Sequence, residues 1–378
     1  MFSRCPSFLL FFLLLAVTAF GQSQKTARPQ PSPSPATEQD DDRVKVFTEE
    51  VRLPVLAVDQ FGHYDPAVVP EDILVLEDGI AQQIKSVRRI PANVLLVLDT
   101  GGELSALGGV SKRTSLTRDV AIELLNRLRA DVWVEVMQFN NSVDVLQPWT
   151  RDRAATLNVL KTKVSSGKRA RFAEALLAAA GQLKDRPEGS RHVIFITDGV
   201  DTAGGKVDRA QALKRLAAAR ATIHVISYTE FVLQPDKSNK KVETGQVPTS
   251  HDPITTMDPT LPPGTTRSPA YGVGIRFDPA MRRQRKAYEN EVRKSEQVLA
   301  AMTQETGGQI FLPKTSDEMI AQAREAAREV GAEYVVTYRP KRPLSAAAKG
   351  EYRRIEVASR RVGLTLRSRR GYVVPLQP

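Results

Sequence analysis

NVLLVLDT (residues 93–100) and HVIFITDG (residues 192–199) are continuous apolar runs, each closed by a carboxylate, Asp99 in the first and Asp198 in the second. A short unbroken apolar run bounded by turn residues is the pattern of a strand buried on both faces, and such strands belong to parallel sheets covered by helices. Both acids then emerge at the carboxyl edge of one sheet, the place where open α/β sheets bind ligands. The neighbouring segments agree. Leu116, Val120, Leu124, Leu125 and Leu128 recur at helical spacing from about Ser115. VWVEVMQF and SVDVLQPW, separated by Asn140 and Asn141, read as a hairpin at a sheet edge. A helix at about 151–163, another carrying Phe172, Leu176, Leu177, Ala180 and Leu183, a third with Val207, Ala210, Leu213 and Leu216, and the strand TIHVISY continue the series. This alternation predicts an α/β fold with a doubly wound, mostly parallel sheet.

The α/β domain is expected to span residues 91–331, interrupted at 232–282 by a long stretch rich in Pro, Thr, Ser and Asp, read as a flexible insertion. After it, a basic amphipathic helix places Tyr288, Val292, Ser295, Leu299 and Met302 on one stripe and stops at Gly307 and Gly308. The strand QIFL and a helix with Met319, Ile320, Ala323 and Val330 close the domain. Residues 45–90 and 332–378 both have β character, and neither flank has enough strands to stand alone. They are therefore expected to form one small β-sandwich into which the α/β domain is inserted.

Residues 1–21 read as a secretory signal, with an apolar stretch from Phe8 to Val17 and small residues ahead of Gln22. Residues 22–44 are rich in Pro, Ser and charge and predict a disordered linker. After signal cleavage no other apolar run is long enough to span a bilayer, so the protein is expected to be secreted or periplasmic and not transmembrane. Cys5, the one cysteine, precedes the apolar stretch, which leaves the mature chain without disulfides or thiolate metal sites.

The net charge of +11 is concentrated at the end of the chain. From Arg339 onward eleven Lys and Arg face only Glu351 and Glu356. The simplest expectation is a solvated outer face of a small sheet; contact with an anionic surface, lipid or polysaccharide, is the other. Nucleic acid is excluded as a partner because the basic stretch lacks an aromatic stacking platform. No enzyme constellation emerges either. His63, His192, His224 and His251 are scattered, no G-x-S-x-G elbow occurs, and Gly167–Lys168 and Gly205–Lys206 lack the remainder of a phosphate loop.

With VLEDG ahead of the domain, LLVLDTGG at its first strand, VIFITDGVDT at a later one, ETGGQIF near its end and a GYVV tail, the sequence resembles the von Willebrand factor A-type (VWA) domain, and more narrowly the secreted VWA-related proteins of acidobacteria. The resemblance implies a Rossmann-like fold and a metal-ion-dependent adhesion site. Such a site is built from an Asp-x-Ser-x-Ser turn, a Thr from a later loop and a further Asp. Hard oxygen donors of this kind suit Mg²⁺ and leave room for a partner's carboxylate. Here Asp99 and Asp198 match, Gly101 and Glu103 stand at the serine positions, and Ala170 stands at the Thr position, which makes the site degenerate.

Two outcomes follow. Asp99, Glu103 and Asp198, with Asp201 nearby, hold a divalent ion; or Lys168, Arg169 or Arg171 places a cation where the metal would sit. The second is favoured, because hydroxyl ligands are lost and cations gained in the same place. The sequence thus predicts a non-enzymatic, VWA-type protein-binding module with weak or absent Mg²⁺. The rival is an envelope-associated structural protein that meets an anionic surface through its basic carboxyl-terminal β segment.

Overall fold

The computed structural model describes residues 49–102, 114–204, 207–233, 244–246, 271–273, 279–348 and 350–374. The segments read as signal and linker, residues 1–44, and Glu103 lie outside them. In chain order the elements are β1 (Val51–Asp59), β2 (Ile73–Glu77), β3 (Ile80–Ala81), β4 (Gln83–Arg88), β5 (Asn93–Asp99), α1 (Thr114–Arg127), β6 (Trp133–Phe139), β7 (Val143–Thr150), α2 (Arg153–Thr162), α3 (Phe172–Gln182), β8 (Arg191–Thr197) and α4 (Arg209–Ala218). They continue as β9 (Thr222–Ser227), α5 (Thr229–Leu233), β10 (Thr244–Gln246), β11 (Tyr271–Val273), α6 (Pro279–Thr306), β12 (Ile310–Phe311), α7 (Ser316–Ala332), β13 (Tyr334–Arg339), β14 (Tyr352–Ser359), β15 (Leu364–Ser368) and β16 (Gly371–Val373).

The central sheet runs β12-β9-β8-β5-β6-β7, parallel except for the β6–β7 hairpin at its edge. Every residue of β5 is buried, as the apolar run requires. Alternate β5 residues face opposite ways: Val94, Leu96 and Leu98 pack with α1 and α7, whereas Leu95 and Val97 pack with α3, α4 and Leu299 of α6. The N-cap side chains of Asp152, Asp208 and Thr315 start α2, α4 and α7. Within the expected insertion, β10 pairs antiparallel with β11, and α6 begins at Pro279, inside the bounds drawn from the sequence.

The flanks form two four-stranded antiparallel sheets, β15-β1-β13-β4 and β16-β14-β2-β3, which share one apolar core. Each sheet takes two strands from each end of the chain, alternating in the first and side by side in the second, so neither flank closes without the other. At the centre of that core is a charge that the sequence reading assigned to a solvated surface. Arg353 is fully buried and donates to Glu77 Oε1 at 2.8 Å, while the Tyr338 and Tyr372 hydroxyls donate to Glu77 Oε2 at 2.7 and 3.1 Å. Arg361 pairs with Asp65 and Asp72, Arg342 with Asp78 and Glu351, and Arg367 with Glu329. Arg353 is thus taken up inside the fold, while Arg342 and Arg361 pair at its surface.

The amino edge of the central sheet meets the flanks through a second buried polar group. His192 Nε2 lies 3.3 Å from Glu333 Oε1, His224 Nδ1 lies 3.2 Å from Glu329 Oε2, and the two imidazoles stack at 6.2 Å. Burial, with His224 alongside, drives His192 down to about 3, and burial pushes Glu333 up to about 8. Both partners of the His192–Glu333 contact are therefore uncharged near neutral pH.

Candidate functional site

Asp99 closes β5 and Asp198 immediately follows β8, and these adjacent parallel strands run in register with Leu98 beside Ile196. The sheet delivers both acids to one edge, where both are buried. Asp99 Oδ2 accepts from the Thr197 hydroxyl at 2.6 Å, and Asp99 Oδ1 from the Gly101 N–H at 3.2 Å. The Thr197 hydroxyl accepts in turn from the Gly199 N–H at 2.8 Å. Asp198 Oδ1 accepts from the Val200 N–H at 3.0 Å, and Asp198 Oδ2 from the Tyr288 hydroxyl at 2.8 Å. Burial and the Asp198 carboxylate hold the Tyr288 phenol far above its ordinary range, so it stays a proton donor.

Tyr288 arrives from the first half of α6, which lies against the site. Gly199 has φ +67°, and a Cβ there would fall 2.4 Å from Ser295 Oγ and 3.0 Å from Leu299 Cδ1. Glycine at this point lets the chain turn left-handed and lets the helix approach. The sequence placed Tyr288 and Ser295 on the apolar stripe of this helix but gave no signal of what they touch. The one hint was a phenol at the head of an otherwise aliphatic stripe, since a buried Tyr hydroxyl needs a partner.

The position that the resemblance assigns to a serine, Gly101, is filled by backbone. Gly102 N donates to the Gly167 carbonyl at 3.1 Å and Gly167 N to the Thr100 carbonyl at 2.9 Å, so the loop before α3 is zipped onto the β5 turn. Asn140 Nδ2 ties both sides, reaching Thr100 Oγ1 at 3.2 Å and the Ser165 carbonyl at 3.1 Å. A Cβ at Gly101 would lie 1.9 Å from the Arg169 carbonyl oxygen, and no side chain fits there unless the loop moves. Ala170 is buried in the core beneath α3, and its N–H donates to Thr202 Oγ1 at 2.7 Å.

Of the three cations on this loop, Arg171 has partners other than Asp99 and Asp198. Arg171 bonds the Asn141 carbonyl at 2.6 Å and pairs with Glu174 at 2.6 Å, because Glu174 lies one helical turn away on α3. Lys168 and Arg169 are exposed, and the Arg169 N–H donates to Asn141 Oδ1 at 3.1 Å. Asp201, considered above as a further metal ligand, caps α3: its Oδ2 accepts from the Ala173 N–H at 3.0 Å, at a helix start where Arg171 supplies no side-chain cap.

Mg²⁺, the ion that the resemblance implies, meets a poor donor set. Among the described residues it finds Asp99 and Asp198, each accepting from a protein hydroxyl, and neither of the two hydroxyl positions that fall there, 101 and 170, retains one. No group of three or more His, Cys, Asp or Glu side chains among the described residues is arranged to hold a metal.

Residues 94–200 match the family model of the von Willebrand factor type A domain, from β5 through the loop after β8. The chain therefore carries a domain of the VWA class. Among solved structures it is similar to an aerotolerance-related membrane protein from Bacteroides fragilis, with 15% identity over 63% of this chain and 99% of that one and a TM-score of 0.36. It is also similar to BatB from Bacteroides thetaiotaomicron, with 17% identity over 63% and 98% of the two chains and a TM-score of 0.36. A von Willebrand factor type A protein from Catenulispora acidiphila shows 10% identity over 87% and 74%, with a TM-score of 0.41. Among curated proteins none matches the chain. Among the described residues no helix is long and apolar enough to cross a membrane.

Proposed function

We propose that this chain is an exported, non-enzymatic VWA-type module that binds another protein through the carboxyl edge of its central sheet, with little or no help from a divalent ion. The observation that carries the reading is the zipper between residues 100–102 and 165–170, which puts the Arg169 carbonyl where the family's serine side chain would stand. The Tyr288 phenol on Asp198 supports it further, because it supplies a donor to an acid that a metal would otherwise contact. The edge is then held rigid by protein groups and presents loop surface, including exposed Lys168 and Arg169, to the partner. Export rests on the amino-terminal sequence alone. The rival reading, an anionic surface met by the basic flank, is weakened by the internal pairing of Arg342, Arg353, Arg361 and Arg367.

Two measurements test it. Calorimetric titration with Mg²⁺ or Mn²⁺ is expected to show no stoichiometric binding, both in the natural chain and in Gly101→Ser/Ala170→Thr, in which a side chain at 101 meets the Arg169 carbonyl; tight stoichiometric binding by the natural chain refutes the metal-poor site. Crosslinking in an envelope extract is expected to give a defined partner that survives chelator and physiological salt and is lost in Lys168→Glu/Arg169→Glu. Loss with salt alone would favour the basic flank.

A further inference from the structure

We propose that the cleft between the end of α6, β12, β14 and β15 binds an extended acidic peptide. The cleft holds about 580 Å³, within the range of ligand sites, and lies beside the amino edge, away from Asp99 and Asp198. Its wall is aliphatic: Ile310, Ile355, Val357 and Leu366. Two of the strands that line it, β12 and β15, are outermost in their sheets, and edge strands accept an added extended segment.

The charge at the cleft is one-sided. Arg367 is engaged by Glu329, Gln309 and the Gly307 carbonyl. Arg369 is 6% exposed, donates to the Arg220 carbonyl at 2.9 Å and lies in the field of Glu333 and Glu188, while its buried Nε has no hydrogen-bond partner. Arg370 is exposed on the same wall, with no acid paired to it among the described residues. The exposed Arg370 guanidinium offers an arriving carboxylate a charge-assisted bond. An extended peptide points successive side chains to opposite sides, so alternating apolar and acidic residues address the aliphatic wall and the arginines together. The wall carries no aromatic ring on which a sugar would stack.

The test uses the full chain and fluorescence anisotropy of a labelled short peptide alternating Val and Glu. Saturable binding is expected, with the matching Val and Gln peptide about tenfold weaker or worse, in keeping with loss of charge-assisted bonds. Arg370→Glu and Gln304→Glu, both at exposed positions, are each expected to weaken the acidic peptide about tenfold at unchanged thermal midpoint. The proposal is overturned if neither peptide binds, if both bind equally, if these variants bind as the natural chain does, or if a sulfated polysaccharide binds in preference to the peptide. None of these outcomes bears on the metal titration at the opposite edge.

Discussion

The two ends of the central sheet use polar groups in opposite ways, and α6 spans both. At the carboxyl edge Tyr288 of this helix meets Asp198; at the amino edge Thr306 accepts from the Ile223 N–H at 3.2 Å. At the first end, carboxylates that the VWA class devotes to a metal are satisfied by hydroxyl and backbone donors, and glycines let loops close over them. At the second end, ionisable side chains are buried to lock the α/β domain onto the flanks. The same helix therefore joins an edge whose buried acids are bonded by protein hydroxyls and N–H groups to one where buried ionisable side chains form the joint between the α/β domain and the flanks.

The largest effect expected from breaking this contrast lies in the flank core. Arg353→Ala leaves Glu77 buried without its cation and should cost about 3–5 kcal/mol in denaturant unfolding. A loss under about 1 kcal/mol would mean that the basic residues are surface charge after all.

Next is the pH dependence of the amino edge. The His192 value is depressed in the folded state, so its contribution is present above about 6.5 and is lost as pH falls through about 3. The Glu333 value is raised, so its contribution is present below about 4.5 and is lost as pH rises through about 8. Stability should climb between about 3 and 4.5, stay level to about 6.5 where the two oppose, and fall by about 2 kcal/mol toward 8. Thermal unfolding across this range checks it. Glu333→Gln should flatten the upper limb, and an unchanged upper limb would remove Glu333 as its cause.

The smallest effect sharpens the carboxyl edge. Tyr288→Phe removes a donor to a carboxylate and should cost about 1.5 kcal/mol without creating Mg²⁺ affinity. A variant that gains stoichiometric Mg²⁺ binding would show that the phenol, and not the loop zipper, keeps metal out.

Particular residues show what the sequence could and could not say. The apolar runs ending at Asp99 and Asp198 announced two parallel strands because period and burial are local properties of a few consecutive residues. The hairpin at Asn140–Asn141 was legible for the same reason. Glu77 of VLEDG stands next to a turn that Asp78 and Gly79 form, with φ of 48° and 78°, and nothing beside it in the chain announces a distant partner. Its actual partner, Arg353, lies 276 residues away. Arg171 was plausible as a cation beside the acids until α3 supplied Glu174 one turn onward.

By itself the sequence determined the class of fold, the edge at which the acids emerge and the absence of hydroxyls at 101 and 170, since each follows from residue type and local periodicity. Only the tertiary structure decided what replaced those hydroxyls, which helix covers Asp198 and where the arginines find their acids. Those contacts join segments far apart in the chain, and sidedness and distance between such segments are fixed by packing, which no local pattern encodes.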